Sequence, residues 1–123
     1  MAAMVEREGR YLITQRRATA VLPLLWEFPG GRVESGETDQ AALKREIAER
    51  LEAEVTVGQL ISYVSHPYEH YTVELYLYDC SLLSEPSTQN VNDVKWVYSD
   101  EFERFEFTPA DEASMAKLLG VFT

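Results

Sequence analysis

The sequence contains a single cysteine, Cys80, and therefore no internal disulfide. Because Cys80 lies in the apolar run of residues 73–83, we interpret it as a small buried residue without a chemical role. No apolar run approaches the roughly 20 residues that span a bilayer, and the N-terminus lacks the basic-then-apolar pattern of a signal peptide. These absences predict a cytoplasmic protein with no membrane partner.

Basic residues are also scarce, since 11 lysines and arginines face 21 aspartates and glutamates, for a formal net charge of −10. A long nucleic acid needs a basic surface that displaces its counterions, so this composition excludes it as a partner. A small anionic ligand is compatible with the charge if a metal ion or a local arginine cluster reverses the field at one site. Most of the acidic side chains are expected to be solvated surface.

The chain does have enough apolar sequence for one core. With 123 residues, 46% of them hydrophobic and 26% charged, it is predicted to form a single domain, residues 1–123. The apolar start, Met1-Ala2-Ala3-Met4-Val5, gives no lead-in to the first strand. Two interpretations of the N-terminus stay open: the natural product begins upstream, or the chain is one domain of a longer protein.

Strand and helix signals alternate along the chain and predict an α/β fold. Segments rich in β-branched and aromatic residues predict two short strands around a turn at 6–9 within residues 1–13, and further strands at 55–65, 71–82 and 94–98. Polar or proline-broken segments predict loops at 16–25, 66–70 and 84–93, and a special turn at 26–31.

Two helices are predicted from their capping residues. Thr38 is the expected N-cap of a helix over residues 39–52, in which aliphatic residues recur every four positions from Leu43 and form a core stripe. Thr108 is the expected N-cap of the last helix, with a proline at its first position and a carboxylate, Asp111, at its third.

The first helix carries its polar residues on the face opposite the core stripe: Ala42, Arg45, Glu46, Glu49 and Arg50. Carboxylates clustered beside a double-glycine turn offer a hard-oxygen site, and Mg²⁺ typically takes only one or two protein carboxylates. The alternative is an exposed helix laced with Glu/Arg pairs. Spacing alone does not decide between the two.

A resemblance to a known family favours the site. The Nudix box, G-x5-E-x7-R-E-U-x-E-E-x-G-U with U aliphatic, resembles the spacing Gly31-x5-Glu37-x7-Arg45-Glu46-Ile47-x-Glu49. Two other segments resemble the MutT-type branch, which cleaves nucleoside triphosphates: Trp26-Glu27-Phe28-Pro29-Gly30-Gly31 and Phe107-Thr108-Pro109-Ala110-Asp111. The resemblance spans nearly the whole chain and implies an α/β/α sandwich around a mixed central β-sheet.

The resemblance also implies roles at a nucleotide diphosphate. Gly30 would offer its carbonyl to a metal, Glu46 would be a metal ligand or the base, and Glu49 a metal ligand. Glu37 and Arg45 would form an ion pair that braces the loop. The implied cofactor is Mg²⁺, with Mn²⁺ as a substitute, and the implied reaction is hydrolysis of a small-molecule nucleotide by water.

Three residues are carried over to the nucleotide itself. Asp111 falls where the MutT-type branch reads the base edge, with Phe28 and Arg16 near the base and phosphates. An ionised Asp111 only accepts hydrogen bonds and favours an amino group such as cytosine N4, whereas a protonated one also donates to an oxo group. The alternative is that Asp111 is an ordinary capping-box carboxylate behind Thr108.

The box is imperfect. Arg50 replaces a carboxylate that is usually a central metal ligand, and Glu52 replaces the glycine that usually closes the helix, so another C-cap is required or the helix runs on. MutT-type proteins also place a glutamate before a tryptophan strand, and counting back from Trp96 gives Asn90, with Asp93 as the nearest acid. Since arginine is not a metal ligand, at least one metal position should be weak or missing.

These departures leave two functions open. The first is Mg²⁺-dependent hydrolysis of a nucleoside di- or triphosphate, in which Arg50 stands in for part of the metal charge and turnover is slow. In the alternative, Arg50 has no role in the site and pairs at the surface with Glu46 or Glu54. The second function is that of a degenerate domain that binds a nucleotide or partner without turnover. His66 and His70, near the hairpin turn, are an alternative catalytic base.

Overall fold

The computed structural model describes residues 1–118, which form one mixed six-stranded sheet and two α-helices. In chain order the elements are β1 Ala2–Arg7, β2 Arg10–Gln15, β3 Trp26–Glu27, α1 Asp39–Leu51, β4 Val55–Pro67, β5 Thr72–Leu82, β6 Asp93–Val97, a 3-10 helix Ser99–Arg104 and α2 Pro109–Leu118. The strand order is β3-β2-β1-β5-β4, with β6 paired to β2. β1 and β5 are parallel, and the other strand pairs are antiparallel.

The two faces of this sheet pack against different helices. On β1, Ala3 packs in a cluster with Leu43 and Ile47 of α1, whereas its neighbour Ala2 packs in a second cluster with Ala110 of α2. This division follows from the pleat, which sends successive side chains to opposite faces. The predicted α/β/α sandwich around a mixed sheet is therefore confirmed.

Helix α1 begins as predicted and ends at an unusual cap. The Thr38 hydroxyl accepts a hydrogen bond from the Ala41 N–H at 3.1 Å. At the other end, Glu52 adopts the left-handed conformation with φ 51°, and its N–H donates to the Ala48 carbonyl at 3.0 Å. A non-glycine residue thus provides the alternative C-cap that the imperfect box required.

Several predicted boundaries are wrong. Strand β4 continues through Pro67, so His66 lies on a strand and not in the loop. β4 is the terminal strand of the sheet, where a proline is tolerated because one side of the strand needs no partner. Trp26 and Glu27 form a short strand within the expected turn. The 3-10 helix was not predicted. Within residues 1–118, no helix combines the length and apolarity needed to cross a membrane.

Candidate active site

The double-glycine turn brings the backbone into contact with both β1 and α1. A Cβ on Gly30 would lie 2.2 Å from the Met1 carbonyl oxygen, and a Cβ on Gly31 would lie 2.2 Å from the Glu46 carboxylate. The Gly31 N–H also donates to the Met1 carbonyl at 3.1 Å. Only glycine fits at both positions without a shift of these neighbours, which places the turn directly against the helix face that carries Glu46.

Glu46 is a buried carboxylate, with 7% of its surface exposed. Its Oε1 accepts a hydrogen bond from Arg45 Nη1 at 2.9 Å, and its Oε2 accepts one from Arg50 Nε at 2.8 Å. A buried charge is costly unless it is paired, and here two guanidinium groups pair with it. Of the two partners considered for Arg50, the structure shows Glu46.

Arg45 connects the loop before α1 to the helix. It forms a bidentate ion pair with Glu37, at 2.8 Å from Nε and 2.9 Å from Nη2. Nη1 also donates to Glu49 at 3.2 Å, and Nη2 donates to the Arg32 carbonyl at 3.0 Å. The Arg45 hydrogen bonds hold the pKa of Glu37 below its ordinary value. The implied ion pair is present, and its role in bracing the loop stays a prediction.

Glu27, for which no role was predicted, lies between two arginines. Its carboxylate is 3.2 Å from Arg16 Nη1 and 3.6 Å from Arg50 Nη1, and 15% of its side chain is exposed. Burial raises the pKa of Glu27, although both arginines act in the opposite direction. The one signal for Glu27 in the sequence was its position inside the double-glycine motif. It directly precedes Phe28, where a strand residue points its side chain to one face of the sheet.

A cavity of about 210 Å³ opens beside this cluster. It is lined by Arg16, Arg17, Ala20, Glu27, Arg50, Asn90 and Val91. The Asn90 amide nitrogen donates to the Glu49 carbonyl at 2.9 Å and so joins the loop before β6 to the last turn of α1. The structure therefore brings Arg16 and Arg50, both predicted to bind substrate, to one cavity.

Asp111 and Phe28 contact each other at the start of α2. Asp111 is 5% exposed, and its carboxylate accepts hydrogen bonds from the Phe28 N–H at 3.0 Å and from the Thr108 hydroxyl at 2.5 Å. Burial, followed by the nearby charge of Glu27, raises the pKa of Asp111 to about 7. Phe28 is 2% exposed and packs in the core.

The capping-box interpretation of Asp111 is wrong in one half. The Asp111 N–H does donate to the Thr108 hydroxyl at 3.4 Å. In a capping box the carboxylate would accept the Thr108 backbone N–H in return, but that N–H donates to the Trp26 carbonyl at 2.9 Å. The Asp111 carboxylate instead connects α2 to the Phe28 backbone, because the Trp26 carbonyl of β3 already accepts the Thr108 N–H that the box would use.

The remaining candidates have local partners. The His66 ring lies 4.9 Å from the Tyr68 ring, and His70 is 3.9 Å from Glu69 with 83% of its side chain exposed. These contacts lie within the β4–β5 hairpin. Asp93 accepts the N–H of the next residue at 2.8 Å and does not line the cavity.

The donor chemistry around Glu46 fits a hard cation. The carboxylates of Glu46 and Glu49 and the carbonyl of Gly30 are oxygen donors, and Mg²⁺ needs only one or two carboxylates when water and phosphate fill its other positions. Within the described part of the chain, no three His, Cys, Asp or Glu side chains cluster closely enough to hold a metal ion by themselves. A cation at Glu46 would compete with both guanidinium groups, because Arg45 occupies one Glu46 oxygen and Arg50 the other.

Comparison with known families identifies the family of this chain, because the model of the NUDIX domain matches residues 1–117. The chain belongs to the NUDIX domain family. Its Nudix relatives include the CTP pyrophosphohydrolase of Escherichia coli (strain K12), 34% identical over 94% of this chain and 90% of that protein. The putative 8-oxo-dGTP diphosphatase 2 of Mycobacterium tuberculosis (strain CDC 1551 / Oshkosh) is 34% identical over 96% of this chain and 85% of that protein.

Solved structures agree with the fold. The solution structure of the E. coli ORF135 protein has a TM-score of 0.84 and 28% identity, covering 98% of this chain and 86% of that one. The MutT NUDIX hydrolase from Burkholderia pseudomallei has a TM-score of 0.84 and 24% identity, covering 95% and 94%. The predicted membership in the Nudix family, in its MutT-like branch, is confirmed.

Proposed function

We propose that this NUDIX chain is a pyrophosphohydrolase, in which water cleaves the diphosphate linkage of a nucleoside triphosphate or a related nucleotide with the help of Mg²⁺. The observation that carries the proposal is the Glu46 carboxylate, held buried by Arg45 and Arg50 against the backbone of Gly31. The names of the relatives support it, because one is a CTP pyrophosphohydrolase and another a putative 8-oxo-dGTP diphosphatase.

Glu46 and Glu49, with the Gly30 carbonyl, would hold the cation. When bound, Mg²⁺ would neutralise phosphate oxygens and lower the pKa of a water molecule; Mn²⁺ is the expected substitute. Glu46 also has the position for a base, since a carboxylate in reach of the attacking water accepts its proton. Arg45 would fix the orientation of the helix face that carries both carboxylates through its ion pair with Glu37.

The nucleotide would lie between the cavity and the start of α2. Arg16 and Arg50 line the cavity and supply guanidinium donors to phosphate oxygens. Phe28 and Asp111 are buried at the start of α2, so a base would reach Asp111 only if the packing around its carboxylate opened. A carboxyl with a pKa of about 7 is present in both protonation states near neutral pH, so it serves as acceptor for an amino group or as donor to an oxo group.

The test is a metal-dependent release assay with CTP, dCTP, 8-oxo-dGTP and dGTP. Glu46→Gln and Glu49→Gln should abolish most Mg²⁺-dependent release of pyrophosphate or phosphate, because each keeps the side-chain size and removes the charge. Glu85→Gln, at a 78% exposed carboxylate that pairs with Arg7, is the control. Wild-type turnover in both helix variants would refute the site.

Two further outcomes separate the alternatives. If a nucleotide raises the melting temperature of the wild-type protein and none is hydrolysed, the chain is a degenerate domain that binds without turnover. Arg50 in contact with Glu46 is the observation that favours this second function. For base selection, an Asp111→Ala variant with an unchanged order of preference among the four nucleotides would exclude Asp111 as the reader.

A further inference from the structure

Strand β4 is the terminal strand of the sheet, and its outer edge, the side away from β5, carries no charged side chain. Among the strands of residues 1–118, β4 pairs with β5 alone. Residues 55–68 contain no Asp, Glu, Lys or Arg, the longest such stretch in a chain in which 26% of the residues are charged. Terminal strands usually carry charges, lysine above all, which prevent another chain from pairing with their open N–H and C=O groups. β4 lacks this protection.

The second half of β4 is regular enough to pair with a further strand. The register with β5 shifts between Val57 and Leu60 and again between Leu60 and Ser62, and such bulges disrupt the ladder and twist the strand. From Ser62 to Pro67 the register is continuous. Proline has no N–H to donate, so the segment that can accept another strand is residues 62–66.

Apolar side chains beside this segment are exposed. Leu60 is 49% exposed, and Ile61 and Tyr63 are each 37% exposed. Tyr63 is held in one orientation, since its ring lies 4.8 Å from that of Tyr76 and its hydroxyl donates to Glu74 at 3.1 Å. An aromatic side chain that is already oriented loses little conformational entropy when a partner covers it. This part of the edge is therefore suited to a contact.

The position of α1 explains why these side chains are exposed. The helix runs from Asp39, whose carboxylate accepts the Tyr78 hydroxyl at 2.5 Å, to Leu51, which packs in one core cluster with Val55. It therefore covers the first half of β4. Tyr63 pairs with the residue of β5 two positions before Tyr78, so it lies on the same face of the sheet and past the start of the helix.

A second copy of the chain is the partner that this edge fits. Two molecules with a formal net charge of −10 repel each other, and the uncharged edge of β4 is where they can meet without bringing like charges into contact. Two identical strands that pair antiparallel are related by a two-fold axis, so the same residues complete the contact on both sides. A partner that is recognised by its charge would find no complementary charge on β4.

We propose that the chain forms a two-fold dimer in which residues 62–66 of β4 pair antiparallel with the same residues of a second copy. The two sheets then join into one continuous sheet, and each copy covers Ile61 and Tyr63 of the other. The inference goes beyond the proposed hydrolysis and does not rest on it, because β4 contains none of the residues assigned to the cation, the phosphates or the base.

The test is sedimentation equilibrium of the full chain over a series of protein concentrations, with two serine-to-lysine variants. Ser65 lies opposite Glu74 of β5, so Ser65→Lys gains an opposite charge within its own sheet and keeps the fold. It also places a lysine on the outer edge of both copies, so the dissociation constant of the dimer should rise about tenfold.

Ser81→Lys is the matched control. Ser81 is also an exposed strand residue, but it lies on β5, which has a neighbouring strand on each side. The same charge added there should change the dissociation constant less than about twofold. Equal weakening by Ser65→Lys and Ser81→Lys would overturn the inference, since the effect would then come from net charge and not from the edge.

Hydrogen exchange of the wild-type protein locates the contact. The N–H groups of residues 62–66 that point away from β5 should become protected as protein concentration rises, and those that already pair with β5 should not change. Protection of another strand would place the dimer elsewhere. Protection of residues 62–66 that does not depend on concentration would show that the chain covers its own edge, and either result overturns the inference.

Two further measurements complete the test. Wild-type protein that stays monomeric up to about 1 mM excludes the dimer. The melting temperature of Ser65→Lys should equal or exceed that of the wild type, which excludes unfolding as the cause of dissociation, and if this variant does unfold, the exchange pattern of the wild type still decides the question. Hydrolysis per chain should be the same in Ser65→Lys as in the wild type, so failure of the dimer and failure of the proposed function are observed separately.

Discussion

The Arg50 guanidinium donates from Nε to Oε2 of Glu46 across one turn of α1, at 2.8 Å. A cation therefore lies where the Nudix box has a second carboxylate, and it occupies an oxygen that a metal would need. We propose that this pair sets the balance between two modes of binding phosphate, through a metal ion or through guanidinium groups directly.

Replacing Arg50 with glutamate should shift that balance toward the metal. Arg50→Glu frees the Glu46 oxygen and adds a carboxylate, so we expect hydrolysis to become faster and to saturate at lower Mg²⁺ concentration. Mg²⁺ titration of turnover measures both. Arg50→Gln, which removes the cation without adding a ligand, is the matched control. Unchanged metal affinity, turnover and nucleotide affinity in Arg50→Glu would place Arg50 outside the site.

The two glycines of the turn should respond differently to alanine. In Gly30→Ala the new methyl group meets the backbone of Met1 and Ala2, which cannot move aside, so stability should fall by about 2 kcal/mol, as for overpacked cores. In Gly31→Ala it meets the end of the Glu46 side chain, so turnover should fall more than stability. Denaturant unfolding and turnover, measured on both variants, check this. Equal effects on both quantities would contradict it.

The C-cap of α1 offers a stabilising substitution. Glu52 holds φ at 51°, a conformation that costs a non-glycine residue roughly 1–2 kcal/mol. Glu52→Gly removes this cost and adds freedom to the unfolded chain, so a net gain of about 1 kcal/mol in the free energy of unfolding is expected. Glu52→Ala keeps the Cβ and serves as the control. The prediction fails if the alanine variant gains as much as the glycine variant.

Asp111 should make stability depend on pH. Its pKa is about 7 in the folded protein and about 4 in the unfolded chain, so between these values the native state binds more protons. Stability contributed at this residue is therefore lost as pH rises from about 4 to about 7 and is constant beyond. The charged groups that face Asp111 are Glu27 and the Met1 amino group, and Glu27 adds to the effect.

Asp111→Asn isolates this effect. The amide keeps an acceptor for the Phe28 N–H and has no proton to lose, so the variant should gain stability relative to wild type as pH rises through the same window. Unfolding curves at half-unit intervals of pH measure the difference. Parallel curves for the two proteins would show that Asp111 has an ordinary pKa.

Local patterns predicted the parts of this molecule that depend on neighbouring residues. The Thr38 cap and the aliphatic stripe from Leu43 place α1, and the alternation of β-branched residues places the long strands. The register of the strands and the roles of individual side chains were harder to predict from the sequence. A role for Glu27 is indicated only by the structure, in which Arg16 and Arg50, distant from each other in sequence, both lie next to its carboxylate. A periodic pattern in the sequence does not predict such a contact, because the two arginines come from different layers of the fold.

The hydrogen bond from Asn90 to the Glu49 carbonyl has a consequence for the size of the cavity. The bond fastens the loop to a helix carbonyl that would otherwise face solvent, one residue before Arg50. The loop wall and the arginine are thereby anchored to consecutive positions of the same helical turn. To move this loop wall away from the arginine, either the Asn90 bond must break or the last turn of α1 must unwind.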